Sequence, residues 1–242
     1  MSILTMIDKF KAKKAACSAV IVAAGASTRM GQDKLFLPMA GIPVLVRTLM
    51  QFETCKSIDE IVIVTREEKI LEVADLCREY GLSKVTKILV GGKERVESSA
   101  AGVYQVDRNS QYIAIADGAR PLVTPELITA TVDAARKYRA AAPATPVKDT
   151  IKTVVDGVVT GTPDRSTLYA VQTPQVFEAD LIKGALTKVL RDKTPVTDDC
   201  SAVEAMGVQV RLIEGSYENV KITTREDLAL SEALLAARGA KR

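Results

Sequence analysis

Two hydrophobic periods alternate along the chain: short β-branched runs that read as buried strands, then longer stretches with apolar residues three or four apart. The first run, Ser18 to Ala24, ends at Gly25 and gives way to a polar loop that reaches Lys34. The pattern predicts a helix from Pro43 to Phe52, a strand over Ile61 to Val64 and a helix over Glu67 to Glu79 that Gly81 stops. A third strand, Val85 to Val90, leads into Gly91-Gly92. Glu94 to Val106 has helical character, Tyr112 to Ala116 is a strand ending at Asp117, and Pro125 to Tyr138 is a helix opened by Thr124. Ala140 to Val147 closes the series as another strand. Strands and helices in this alternation predict an α/β fold with a mainly parallel sheet.

From Lys148 to about Thr167 the pattern shifts to short polar and β-branched stretches, broken by Asp156-Gly157 and Gly161-Thr162-Pro163. This predicts a hairpin arm that leaves the sheet. Leu168 to Gln172 resumes a strand, Asp180 to Leu190 and Asp198 to Met206 are helical, and Val208 to Ile213 and Asn219 to Ile222 supply late strands. Thr224 and Asp227 have capping-box spacing for a last helix running to about Arg238. The expectation is one three-layer α/β domain over residues 17–242, with an arm at about 148–167, behind a basic leader at 1–16.

Charge and composition narrow the chemistry. The formal net charge of +3 is matched by the leader alone, where Lys9, Lys11, Lys13 and Lys14 face only Asp8. The remainder is neutral overall, which disfavours a nucleic acid polymer as partner. With 0 histidines, the Ser-His-Asp and Cys-His arrangements and every His-ligated metal site are excluded. Any reaction must use carboxylates, amines, guanidiniums and backbone amides. Cys17, Cys55, Cys77 and Cys200 are too dispersed for a C-x-x-C pair and read as structural thiols in a reducing compartment. No apolar run approaches the roughly 18 residues of a membrane span, so the expected location is the cytoplasm, with no membrane partner.

Ligands of open α/β sheets bind beyond the carboxyl ends of the strands. Four segments lie there: Gly25 to Lys34, Gly91 to Ser98, Asp117 to Arg120 and Asn219 to Thr223. The first combines glycine-freed amides with Arg29 and Lys34, which suits a polyphosphate. It is not a Walker A loop, because Gln32 follows Gly31, nor a Rossmann fingerprint, because Ser27 stands two residues after Gly25. Asp117, at a strand end, is placed either for a divalent ion or ribose, or to cap a helix.

The segments AAGASTRMGQDK, GGKERVESS, DGARP, PVKDTIK, DRSTLYAVQTPQ, TDDCS and NVKITTREDL resemble, in order and spacing, the 2-C-methyl-D-erythritol 4-phosphate cytidylyltransferase family over roughly Ser18 to Leu235. The resemblance implies a Rossmann-like nucleotidyltransferase fold. It also implies transfer of CMP from CTP to the polyol phosphate, release of pyrophosphate, and Mg²⁺ or another divalent cation as cofactor. By that likeness Arg29 and Lys34 stabilise the triphosphate in the transition state, while Ala23, Ala24 and Gly25 line the nucleotide site. Asp117 holds the ribose or the metal-bound nucleotide. Gly91, Gly92 and Ser98 are similar to a cytosine-reading segment that Arg95 supports. Arg165 and Lys221 match catalytic residues that orient the methylerythritol phosphate, with Arg120, Thr150 and Thr173 in the polyol-site motifs. A homodimer exchanging arms is also implied. Alternatives are the same reaction on ribitol 5-phosphate, or a nucleotide-binding module without turnover. The chain departs from the family pattern at Ser27, Asp33, Leu35, Ala116 and Gly118, and its loop before Lys34 is about two residues short. The pair Asp33-Lys34 is similar to molybdopterin cytidylyltransferases, and a carboxylate there is expected to weaken Lys34 unless it points away.

Overall fold

The structure, a computed structural model, describes residues 16–25 and 33–240. The leader, but for Ala16, and Arg29 lie outside the described residues. In chain order the elements begin with β1 (Cys17–Val22), the two-residue strands β2 (Pro38–Met39) and β3 (Ile42–Pro43), α1 (Val44–Thr54), β4 (Glu60–Thr65), α2 (Ile70–Glu79) and β5 (Val85–Val90). There follow α3 (Arg95–Val103), β6 (Tyr112–Asp117), α4 (Pro125–Tyr138), β7 (Ala140–Pro146), and the hairpin strands β8 (Thr153–Val155) and β9 (Val158–Gly161). The chain ends with β10 (Tyr169–Val171), β11 (Gln175–Glu178), α5 (Ala179–Asp192), α6 (Asp199–Glu204), β12 (Arg211–Glu214) and α7 (Arg225–Gly239).

The main sheet runs β5-β4-β1-β6-β11-β7, with β10 and β12 also pairing β7. β5, β4, β1 and β6 are mutually parallel, and β12 is parallel to β7. β11 is antiparallel to both β6 and β7, and β10 is antiparallel to β7. Alternate residues of one strand face opposite sides, so each buried strand serves two cores. Ala19, Ile21, Ile61 and Ile63 pack with Leu49, Phe52, Val73 and Ile128 of α1, α2 and α4. Val20, Val62, Val64 and Ile113 pack with Val103, Ile182 and Val203 of α3, α5 and α6. Fully burying each of the Val, Leu, Ile and Phe side chains among these contributes about 1.5–3 kcal/mol relative to exposure. The three layers follow directly from that two-sided burial. α7 closes a smaller cluster with Met39, Val44, Leu122 and Ile222.

The cysteines are free and buried. Burial pushes the Cys17 thiol up to about 12 and the Cys77 thiol up to about 11, so both stay protonated and unreactive at neutral pH.

Local signals act as expected at several ends. Thr124 caps α4 by accepting from Leu127 N–H, and Thr224 and Asp227 form the capping box of α7. Asp156 and Gly157 take φ of 47° and 79°, the paired positive values of a type I′ hairpin turn. Two expectations fail. Asn219 to Ile222 is not a strand: it has no ladder, and is held by Ile222 N–H donating to the Ala119 carbonyl at 2.9 Å and by the Asn219 side chain. The late strand begins at Arg211 rather than Val208, and β11 was not anticipated because four residues between Pro174 and a helix carry no readable period.

Helix α3 lies so close to the sheet that a Cβ on Gly102 would sit 2.3 Å from Val20 Cγ1 and 2.9 Å from Val64 Cγ2. Overpacking of this kind costs about 1–3 kcal/mol, against a gain of about 1 kcal/mol from helix propensity. With contacts this short the cost falls at the upper end of its range, so Gly102→Ala is expected to lower stability by up to ~2 kcal/mol, read from the urea midpoint at unchanged slope. Equal or higher stability would mean that α3 can slide without loss.

Candidate active site

The carboxyl ends of β1 and β6, with the loop after β5, enclose a cavity of about 200 Å³. It sits where the strand order reverses, with β4 on one side of β1 and β6 on the other. Ala23, Ala24 and Gly25 form its floor, and Lys34 and Lys221 reach it from opposite ends of the sequence. Gly92, Arg95, Ser98 and Asp117 complete the wall that α3 and β6 present.

Glycine is required at the β5–α3 turn by close approach. A Cβ on Gly91 would lie 2.5 Å from Ala24 Cβ and 2.7 Å from Ser98 Oγ, and one on Gly92 would lie 2.2 Å from Glu97 Cβ. Gly92 N–H donates to Ser98 Oγ at 3.2 Å, and that hydroxyl donates to the Glu94 carbonyl at 3.2 Å. Glu94 and Glu97 close a capping box, which fixes the start of α3 and its amide end at the cavity.

Asp117 is the electrostatic centre. Its Oδ2 lies 2.9 Å from Lys221 Nζ and 3.8 Å from Arg120 Nε, and its Oδ1 lies 3.5 Å from Arg95 Nε. Its backbone N–H donates to Thr173 Oγ1 at 3.1 Å. Burial pushes the carboxyl up, but Lys221, Arg95 and Arg120 together outweigh it and hold it below the usual carboxylate range. Arg95 also places Nη1 2.8 Å from Asp199 Oδ2. Burial disfavours the Arg95 charge, and the two carboxylates more than reverse this, so it stays cationic. Asp199 is nearly inaccessible, and burial raises its carboxyl above the ordinary value despite Arg95.

Behind this centre a neutral network locks the C-terminal segment in place. Asn219 Nδ2 donates to Gln172 Oε1 and to the Thr173 carbonyl, each at 3.1 Å, and Arg120 Nη1 donates to the Asn219 carbonyl at 2.6 Å. Arg120 and Thr173 thus lie beneath the cavity rather than on its wall. Thr150 and Arg165 lie on the exposed arm, where Arg165 Nη1 donates to the Lys148 carbonyl at 2.8 Å, and within one chain neither lines the cavity. Asp33 is in ionic contact with Arg66. Asp199, Asn219, Gln172 and Arg66 were not singled out from sequence. The adjacent Asp198-Asp199 pair was the available signal for the first: Asp198 caps α6, which leaves its neighbour facing inward.

Cations drawn from distant segments around one cavity at the strand ends define a nucleotidyltransferase of the α/β class. Residues 17–237 match the model of the 2-C-methyl-D-erythritol 4-phosphate cytidylyltransferase family (IspD). A protein of that name from Caldanaerobacter subterraneus subsp. tengcongensis is 47% identical over 226 residues, covering 90% of this chain and 98% of its own. The crystal structure of a 4-diphosphocytidyl-2C-methyl-D-erythritol synthase from Anaerococcus prevotii superposes with a TM-score of 0.83 at 34% identity, over 92% of this chain and 99% of that one. The crystal structure of the cytidylyltransferase from Thermus thermophilus gives 0.74 at 29% identity, over 90% and 98%. The chain belongs to the 2-C-methyl-D-erythritol 4-phosphate cytidylyltransferase family. Ribitol 5-phosphate as substrate and a module without turnover are not favoured by these matches.

Asp117 allows a direct check of the electrostatics. Its folded pKa is lowered from an unfolded value near ~3.9, so its charge contributes stability that is present above that value and lost as pH falls through the folded one. Asp117→Asn strands Arg120 and should cost about 3 kcal/mol at pH 7. The difference from wild type should hold between pH 6 and 8 and shrink below about pH 4. Denaturant midpoints against pH measure it; a gap that does not close in acid would show that Asp117 is not the charged partner.

Proposed function

We propose that this site transfers CMP from CTP to 2-C-methyl-D-erythritol 4-phosphate, releasing pyrophosphate. The observation that carries the reading is that Lys34 and Lys221 line one cavity with the glycine turn and Asp117. The nucleophile is an oxygen of the polyol phosphate. A phosphate monoester has its second pKa near ~6, so it is largely dianionic at neutral pH, and the 0 histidines of the chain leave no gap in the chemistry. That oxygen attacks the α-phosphorus and the bond to the β-phosphate oxygen breaks. The protein's task is to place the two phosphates and neutralise charge on the transferring and leaving groups.

Lys34, with Arg29 from the same loop, takes the triphosphate. Ser98 supports the choice of base: its proton is used on the Glu94 carbonyl and one lone pair on Gly92 N–H. The remaining lone pair is an acceptor suited to the exocyclic amine of cytosine. Asp117 faces the ribose, and Lys221 orients the polyol phosphate. Among the described residues no cluster of three or more acidic or thiol ligands forms. A divalent ion fits only as Mg²⁺ commonly binds, through one carboxylate with substrate phosphates and waters, for which Asp117 Oδ1 is the donor. Its chemistry there would be neutralisation of triphosphate charge.

Arg165 and Thr150 reach a site only if a second copy provides them. Among the described residues the hairpin pairs solely with itself and exposes Val154, Val155, Val158 and Val159, apolar surface that an exchanging homodimer would cover. Four buried free thiols suit the reducing cytoplasm, which we propose as its location. No described helix is long and apolar enough to cross a membrane.

Lys34→Ala should lower the rate of pyrophosphate release ~10²-fold or more, about 3 kcal/mol of transition-state stabilisation, with the melting temperature changed by no more than a few degrees. A normal rate would remove Lys34 from the mechanism, and wild type without release from CTP and the polyol phosphate would remove the proposed function. Separately, Arg165→Ala and Lys34→Ala proteins, each impaired alone, should regain activity when mixed and allowed to exchange subunits. No recovery on mixing would place Arg165 with its own chain.

A further inference from the structure

One guanidinium joins the two ends of the loop between β1 and Lys34. Arg66 follows β4; its Nη1 donates to the Gly25 carbonyl at 3.2 Å, and its Nη2 makes a close ionic contact with Asp33 Oδ2. Its Nε donates to Glu68 Oε1 at 2.7 Å. The Arg66 and Asp33 side chains are 22% and 16% exposed, which lifts the pair out of the fully solvated class whose contribution is small. Burial works against the Arg66 charge, but Asp33 and Glu68 outweigh it and raise its pKa. Asp33 is also held from the other side. Its Oδ1 accepts from Leu35 N–H at 3.2 Å, and its carbonyl accepts from Phe36 N–H at 3.0 Å. Leu35 is buried, and its carbonyl accepts from Leu45 N–H at 2.9 Å. One carboxylate therefore ties Arg66 to the turn that brings Lys34 to the cavity.

We propose that Arg66 and Asp33 form a latch across the base of the nucleotide loop, with Arg66 as a positioning residue that holds Gly25 and Lys34 in register for the triphosphate of CTP. The proposal rests on the cytidylyltransferase reading above. If Gly25 and Lys34 were free to shift relative to one another, ordering them would have to accompany ligand binding. Fixing the ends in advance removes that cost from binding. The latch also accounts for Asp33 in this chain: the carboxylate next to Lys34 has a guanidinium to engage. Its effect belongs to nucleotide binding more than to the step that follows.

The test varies CTP at saturating methylerythritol phosphate for wild type, Arg66→Gln, Asp33→Asn and the double variant. The KM for CTP should rise ~10-fold in each single variant while kcat falls less than ~3-fold. The double should be no worse than the poorer single, because both changes remove one contact. Arg66→Lys, which keeps the charge but not the fork, should recover only part of the loss. A wild-type KM in Arg66→Gln, or fully additive losses in the double, overturns the latch. Should Arg66→Gln fail to fold, Asp33→Asn and Arg66→Lys carry the same comparison. If wild type itself releases no pyrophosphate, the cytidylyltransferase reading fails, and CTP affinities of the same variants by calorimetry still decide the latch.

Discussion

A single buried anion gives this site its order. Lys221, Arg95 and Arg120 would repel one another if brought together alone, and Asp117 alone at the end of β6 would be driven to its neutral form by burial. Together they form a charge cluster with Lys221 at 2.9 Å and the two guanidiniums at 3.5 and 3.8 Å. Arg95 and Lys221 are thereby held on the cavity wall before any ligand arrives, which spares reorganisation at the moment of reaction. Arg95 has a second anchor in Asp199 at 2.8 Å. Its position, and with it the start of α3, therefore does not depend on Asp117 alone.

The sheet makes this cluster possible by its order. β1 lies between β4 and β6, so the loops after β1, β5 and β6 open on one side although they are distant in sequence. The segment at 219–222 has no strand to hold it. It is held instead by Ile222 in a small apolar cluster, by Ile222 N–H on the Ala119 carbonyl, and by the Asn219 amide on Gln172 and Thr173. Lys221 is thus set by contacts with the same β6 loop that carries its partner carboxylate. A change at Gln172 or Asn219, neither of which lines the cavity, would reach it through the position of Lys221.

Much of the fold was legible because local and global signals agree: β-branched runs, Thr124 and Thr224 caps, and the Asp156-Gly157 turn each mark an element that the structure contains. What escaped notice had no local signature. β11 is four residues long, and Asn219 to Ile222 looks extended and apolar in alternation yet finds no partner strand. In the site, residues at strand ends were recognisable from glycine and charge in loops. Arg66 and Asp199 were not, since each acts on another side chain rather than on a ligand, and such pairings exist only in three dimensions. Nor did the resemblance show the contacts of Arg120 and Thr173, one buried against the Asn219 carbonyl and the other accepting from the Asp117 amide.

Charge balance supports the proposal that a second copy contributes to the site. The described wall offers Lys34, Lys93, Arg95 and Lys221 against Glu94 and Asp117, a modest positive excess, and part of that is already engaged inside the Asp117 cluster. A triphosphate and a phosphate monoester of about −2 bring more negative charge than this excess can neutralise in a partly dry cavity, where uncompensated charge is costly. Under the function proposed above, the deficit would be met from outside the described wall by the groups that proposal names: Arg29, a divalent ion beside Asp117, and Arg165 of a second copy. In the proposed dimer, an arm from a second copy would bring that cation without crowding one chain's cavity with like charge before the substrates arrive to neutralise it.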